Sequence, residues 1–587
     1  MNVLLFLVLA LAAFALAGRL YSRWIARRLG EDPNRPTPAQ EINDGRDYVP
    51  TRPYVVFAHH FSAIAGAGPI IGPTMAILYG FVPAWLWVVV GGVFIGAVHD
   101  FTTLFISMRE GGRSLAEIAR KTLGQKGFNL FIAFTILMIV LVTSSFLSAT
   151  AISLTSLWPL DKIGAVEGQT FLKTVVKDGV VLGRIGGIAS TSVIVITLCS
   201  PLLGWLIHRR GLRPALGYPL ASAICVVSVL LGIAFPVTLS PTAWMVLISV
   251  YVLFAAGLPV WLILQPRDFI NVQILYGGIL LMAVSLLIVG GGGAAIALPS
   301  FNLAEGGRSL GLIWPMMFIT IACGAISGFH SLVAGGTTGK QLALESHARK
   351  VGFNAMLLES ALAVCVLLAL GVGITFADYR AIVWPSDPAV KSNPILGFSL
   401  AAGGLFHHAL GIPVALGTVF GILMVEGFVI TTLDAAVRLN RYLFEELWSI
   451  VLPRPPAFLR NYWFNAALSV LIMWVLAYSN AFSTLWPIFG TANQLLAALA
   501  LLTVSSWLLL RGRRHLFTLL PALFMIVTTL ASLLILLPGY LRQGNVILAV
   551  TDLLMLALAL AVVVLAARTF VRPTPPRRVE AEGAPVS

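Results

Sequence analysis

Charge is what this chain has least of. Only 11% of its 587 residues are charged, against about a quarter in soluble domains, while 58% are hydrophobic and the mean hydropathy is +0.93. That scarcity excludes a water-soluble globular fold and leaves an all-α polytopic membrane protein. Cysteine is also rare. Cys199, Cys225, Cys323 and Cys365 all lie in apolar runs without paired short spacing, so they read as small core hydrophobes rather than disulfides or metal ligands. The chain has no GxxxxGK[ST] phosphate loop to bind ATP and no H-E-x-x-H pair for a membrane-embedded metalloenzyme. No cofactor or metal is therefore expected.

What is present is a series of apolar runs near the roughly 20 residues that cross a bilayer. They predict about 15 spans. With the N-terminus outside and the spans alternating, only Lys162, Lys173, Lys177, Arg184, Arg308, Arg380, Lys391 and Arg542 of the 38 lysines and arginines fall outside. The net charge of +14 is then the positive-inside signature of an inner (plasma) membrane protein, and no nucleic acid need be invoked. Residues 1–18 lack a basic leader and precede Arg19, Arg23, Arg27 and Arg28, so the first span is expected to stay in the membrane.

Two apolar runs break in the middle, and they break alike. The first reads Ala63-Ile64-Ala65-Gly66-Ala67-Gly68-Pro69 and the second Ala325-Ile326-Ser327-Gly328-Phe329-His330. Unwound backbone at bilayer depth has no water to bond and survives only where it lines a cavity. Paired breaks in two halves are the mark of a transporter's binding site. Seven spans separate them, and an odd number sends the second through the membrane in the opposite sense. The expected organisation is an N-terminal span and loop (1–53), a five-helix repeat (54–236), two linking spans (237–311), an inverted five-helix repeat (312–510), two accessory spans (511–568) and a disordered cytoplasmic tail (569–587).

Unwound backbone is expected from Ala65 through Gly72, where Gly66 and Gly68 let a ligand approach closely or let helices pack. Ser327, Gly328 and His330 add polar groups at the second break. His59 and His60 open the first broken helix, and a histidine at such depth either bonds a substrate carboxylate, relays a proton or simply bonds a backbone carbonyl. His407 and His408 lie in a short apolar stretch, 395–410, that could be re-entrant. Trp486 to Gln494 reads as a third interrupted helix in which Asn493 and Gln494 either orient a polar substrate or stitch helices together. Carboxylates inside spans are functional by default, and four qualify: Asp100, Glu359, Glu426 and Asp434. Arg438 at i+4 could pair with Asp434. Glu426, with no evident partner, is the foremost proton site. The run Tyr442 to Trp448 reads as an interfacial amphipathic segment.

Asp47-Tyr48-Val49-Pro50-Thr51, Phe57 to Pro69 with its HHFSAIAGAGP, Gly112-Arg113-Ser114-Leu115, Ala322 to His330 and Trp486 to Gln494 together resemble the carbon starvation protein A (CstA) family of peptide and pyruvate transporters. That resemblance implies a LeuT-like core of five plus five inverted helices. It also implies a secondary transporter that imports a small carboxylate-bearing substrate, a short peptide or pyruvate, by symport with H+ or Na+. In LeuT-type transporters a hydroxyl pair on the third helix of the second repeat binds sodium, and Thr431 and Thr432 stand at that position. His99 stands where the family usually has glutamine and Gly339 where it has proline, so details of proton relay do not transfer. A channel would need a continuous polar pore, and a receptor that binds peptide without transport would not need two opposed breaks.

Overall fold

The computed structural model describes residues 1–44, 48–164, 172–177, 179–258, 262–387 and 390–571. Asp47 and the expected tail from 572 onward lie outside these. Among the described residues 12 helices are long and apolar enough to cross a membrane, or 13 with the bent pair Pro53–Ile64 and Gly68–Tyr79, which meet at 45°. The expected 15 is not reached on length, for two local reasons. The helix Pro241–Gly257 has only 17 residues, and the 312–338 segment is divided into Ile313–Thr320 and Phe329–Gly336. The helix Pro394–Leu410 is continuous, not an irregular re-entrant loop, and is buried from Pro394 to Phe406.

Helix limits follow from local chemistry. Proline opens Pro53–Ile64, Pro241–Gly257 and Pro394–Leu410, at a position where the missing N–H costs nothing. Ser114 and Ser240 accept from the backbone N–H three residues on. Gly30 and Gly411 end their helices in the left-handed conformation at φ of 65° and 71°. Hydroxyls within spans mostly donate to the carbonyl one turn back, as Thr102 does to Val98 and Ser144 to Val140. The 158–187 connection carries a small antiparallel sheet of Trp158–Pro159, Thr174–Lys177 and Val180–Gly183, with the third strand central and Val175 opposite Leu182.

The third segment of the first expected repeat, Leu115–Ser153, leaves helical geometry at Gly124 (φ 80°) and is helical on either side of that kink, whereas its counterpart Val414–Val451 runs for 38 residues; the two pack against one another. Tyr442 to Trp448 belongs to the last turns of the second of these, which continues unbroken to Val451. Five helices form the interior: Phe81–Arg109, Leu115–Ser153, Glu345–Gly373, Val414–Val451 and Phe482–Leu510, each 78–89% buried over its most apolar stretch. Ala215–Ala234 is only 22% buried and Leu264–Gly291 39%, so they lie outside that ring.

The broken helices run in opposite directions. Thr51, ahead of the first, bridges to Leu342 beyond the second, and His60 meets Thr338. At the breaks Gly68 lies against Cys323; farther along, Gly72 lies against the carbonyl of Thr320, and Tyr79 donates to the carbonyl of Gly311. As the chain advances from 51 to 79, its partner retreats from 342 to 311. The basic loops gather at one end: Arg109 pairs with Glu345, Arg511 with Glu110 and Arg349 with Glu31, and Lys340 sits over Tyr48. The other end carries Lys162 with Asp378 and Arg380 with Glu305.

Candidate functional site at the paired helix breaks

The first break is short. Only Ala65, Gly66 and Ala67 leave the helix, fewer than the expected 65–72, because Pro69 near the start of Gly68–Ala76 presets the helical turn and Ala67 accepts from Ile70 and Ile71. Ala65 and Ala67 are buried, and Gly66 is partly open. A side chain at Gly66 would meet nothing nearer than the Thr432 hydroxyl at 3.5 Å, whereas one at Gly68 would lie 2.4 Å from the Cys323 sulfur. Gly68 therefore serves close packing and Gly66 leaves backbone accessible.

The second break is longer and is held from outside. Residues 321–328 leave the helix, and Asn493 spans the gap: its Oδ1 accepts from the backbone N–H of Phe329 at 3.1 Å, its Nδ2 lies 3.1 Å from the Ser327 hydroxyl, and its own carbonyl accepts from Gly328 at 3.1 Å. Gln494 donates to the carbonyl of Phe318 at 2.5 Å, where Ile313–Thr320 loses its ladder. Phe482–Leu510 itself is a continuous helix containing Pro487, so the expected third interruption is absent. Gly490 has a packing reason, since a Cβ there would stand 2.3 Å from the carbonyl of Ile319. Asn493 and Gln494 thus satisfy the freed backbone groups that lipid could not.

The second helix of each repeat contains one π-helical turn, Gly92–Gly96 in Phe81–Arg109 and Arg349–Phe353 in Glu345–Gly373. Gly96 seats the carbonyl of Ala325, and Gly352 seats the backbone of Asp100. Just beyond these turns come Asp100 and Glu359, and both reach His330. The Nδ1 of His330 lies 2.7 Å from Asp100 Oδ2, and its Nε2 lies 3.3 Å from Glu359 Oε2. His99 Nδ1 holds the other Asp100 oxygen at 2.7 Å. All four side chains are buried, at no more than 1% exposure, so the chain has built a carboxylate–imidazole–carboxylate row inside the ring. Read singly, these residues gave no sign that they converge.

The remaining expected residues fall elsewhere. His60 is buried with Nδ1 at 2.9 Å from the Thr338 hydroxyl, while His59 is exposed. Glu426 does have a partner, the Ser153 hydroxyl, and makes no contact with the row. Asp434 pairs not with Arg438 but with Arg267 at 3.3 Å and Tyr251 at 2.6 Å; Arg438 turns to the carbonyls of Ala255 and Leu258, which end a helix and want a donor. Thr431 donates to Gly427, and Thr432 faces Gly66. His407 and His408 are exposed, and among the described residues no three His, Cys, Asp or Glu side chains converge on a metal-sized point.

Sequence reading passed over Arg267 and Asp552. Arg267 is buried in the first turn of Leu264–Gly291, just ahead of the apolar run, and so looked like a loop residue. Asp552 lies plainly inside an apolar run and was open to the same test as the other four carboxylates. A cavity of about 810 Å³ opens at the end opposite the basic loops, lined by Ser148, Met316, Trp384, Phe482, Pro487 and Tyr540 among others.

A ring of long apolar helices around two opposed, unwound segments is the arrangement of a multi-pass membrane transporter. The chain belongs to the carbon starvation protein CstA family, which it matches over residues 2–390 and 374–532. It is 32% identical to the peptide transporter CstA of Campylobacter jejuni, over 89% of this chain and 78% of that one. It is 31% identical to the peptide transporter CstA of Escherichia coli (90% and 80%), and 30% identical to the pyruvate/proton symporter BtsT of the same organism (89% and 80%). Among solved structures it is similar to a manganese transporter variant of Eremococcus coleocola at 13% identity and a TM-score of 0.42, over 88% of this chain and 94% of that one.

Proposed function

We propose that this protein is a secondary transporter that imports a short peptide or pyruvate by proton symport, with alternating access to a site between the two breaks. The observation that carries the reading is the Asp100–His330–Glu359 row, because His330 stands on the second broken helix itself. A proton exchanged along that row changes the charge beside the unwound backbone, and a substrate carboxylate at the N-terminal ends of the half-helices would feel it. Gly66 offers close backbone approach for the same ligand. Sodium is the second reading, favoured by one observation: the Thr432 hydroxyl is the group nearest Gly66 on the first break, and hydroxyl and carbonyl oxygens are the ligands a hard cation takes.

Alternating access is supported by the two ends differing. At the basic end the Thr51–Leu342 bridge joins the chain before the first broken helix to the chain after the second, and the Arg109–Glu345 pair and the Tyr48 hydroxyl on the carbonyl of Gly111 close the same end. At the other end the 810 Å³ cavity is open. With the basic end cytoplasmic by the positive-inside rule, this is an outward-facing arrangement. Uptake of labelled dipeptide and labelled pyruvate into vesicles, with the pH and sodium gradients imposed separately, tests the reading. A pH gradient should accelerate one of the two substrates; acceleration by neither gradient would overturn symport.

A further inference from the structure

The accessory helices Leu516–Arg542 and Val546–Val571 lie outside both repeats, and the transport reading gives them no task. Asp552, in the second of them, is fully buried, and neither of its carboxylate oxygens has a hydrogen-bond partner. Tyr540, on the first, is 3% exposed with its hydroxyl also unpartnered, and it lines the 810 Å³ cavity. The two residues stand on the two arms of one hairpin, whose helices pack against each other. An unpaired carboxylate in apolar surroundings is costly and is relieved by taking up a proton.

We propose that Asp552 is a proton-binding site outside the two five-helix repeats, loaded from the cavity past Tyr540. The ligand is a proton rather than a metal ion, because one carboxylate and one phenol fall well short of the roughly six oxygens a hard cation gathers. Nor is Asp552 a helix-stitching group, since it bonds to nothing. Of the helices packed on its own, Phe482–Leu510 has no ionisable side chain, Leu115–Ser153 has none after Lys126, at the far, basic end, and Leu516–Arg542 has one charge, Arg542, exposed at its last turn. The buried titratable group on Leu516–Arg542 is Tyr540. In the binding step a proton from cavity water joins a carboxylate oxygen of Asp552 and neutralises it. Phe482–Leu510, against which the hairpin packs, is the helix whose Asn493 holds the second break. Loading of Asp552 therefore acts next to the element that shapes the transport site.

The site is read directly by infrared titration of the full chain in lipid, as the carboxylic-acid C=O band lost on Asp552→Asn. Between about pH 5 and 9, where imidazoles and perturbed carboxylates titrate, that band should bleach reversibly. Tyr540→Phe, which leaves the chain a ring of the same size, should move the midpoint by about tenfold in proton affinity, one pH unit. Asp552→Glu should retain a titrating band at a shifted frequency, which separates loss of the group from loss of the fold. A band unchanged across the range, or no band assignable to Asp552, would overturn the proposal. Because the readout is proton occupancy, it stands or falls separately from symport.

Discussion

The two broken helices share a backbone plan and differ in chemistry. The first unwinds over three alanine and glycine residues, needs no outside support and exposes little beyond main chain. The second unwinds over eight, is held by Asn493 and Gln494 from a neighbouring helix, and carries the histidine that joins two carboxylates. Antiparallel placement makes the halves alike in shape; the ionisable row draws Asp100 from the first half and His330 and Glu359 from the second, and its histidine stands on the second broken helix. The paired openings follow from the symmetry, and the histidine of the row from its breach.

The largest expected effect comes from His330. His330→Ala leaves Glu359 without its ion-pair partner and Asp100 with His99 alone, and breaking such a buried set costs about 3–5 kcal/mol. Gradient-driven uptake should vanish and the melting temperature should fall. His60→Ala, the counterpart on the first helix, removes one bond to Thr338 and should cost about 1 kcal/mol, with uptake retained. Equal losses in the two variants would erase the proposed asymmetry.

Next in size is the contact between the breaks. Gly68→Ala pushes a methyl group into Cys323, and overpacking of this kind costs about 1–3 kcal/mol. Adding Cys323→Gly removes the obstructing side chain and should restore much of the melting temperature. Failure of that rescue would mean that Gly68 matters for something other than fit. Asn493→Ala strands the N–H of Phe329 and should cost about 1–3 kcal/mol, read as a lower melting temperature. The matching test on the first break, Gly66→Ala, meets only the Thr432 hydroxyl, so stability should hold while KM rises.

A finer comparison separates the carboxylates. Glu359→Gln should abolish accumulation against a gradient yet permit substrate exchange, which need not release the coupled proton. Glu426→Gln, whose neighbour is the Ser153 hydroxyl, should keep most of both activities. The reverse pattern, measured as counterflow against net uptake in vesicles, would move the coupling site to the long Val414–Val451 helix.

Much of this was legible in the sequence because hydrophobic length and glycine placement are local signals. The two breaks, the opposed threading and the gathering of arginines at one end all follow from counting along the chain. What was not legible depends on which side chains meet across helices. His330 sits 230 residues from Asp100, and no spacing rule links them. The pairing of Asp434 with Arg438 was reasonable on one helix face, yet Arg267 from the linking helix took the place because its guanidinium is buried at that height. Trp486 to Gln494 looked interrupted because proline and glycine usually break helices. In a packed ring the glycine instead admits a neighbour's carbonyl and the helix continues.

Alternating exposure of a site between the breaks is tested most directly by locking the closed end. Thr51→Cys with Leu342→Cys places a cysteine on each side of the bridge that ties the two broken helices together. The account predicts that oxidative cross-linking of this pair stops substrate counterflow in vesicles and that reduction restores it. Undiminished counterflow with the cross-link intact would contradict it.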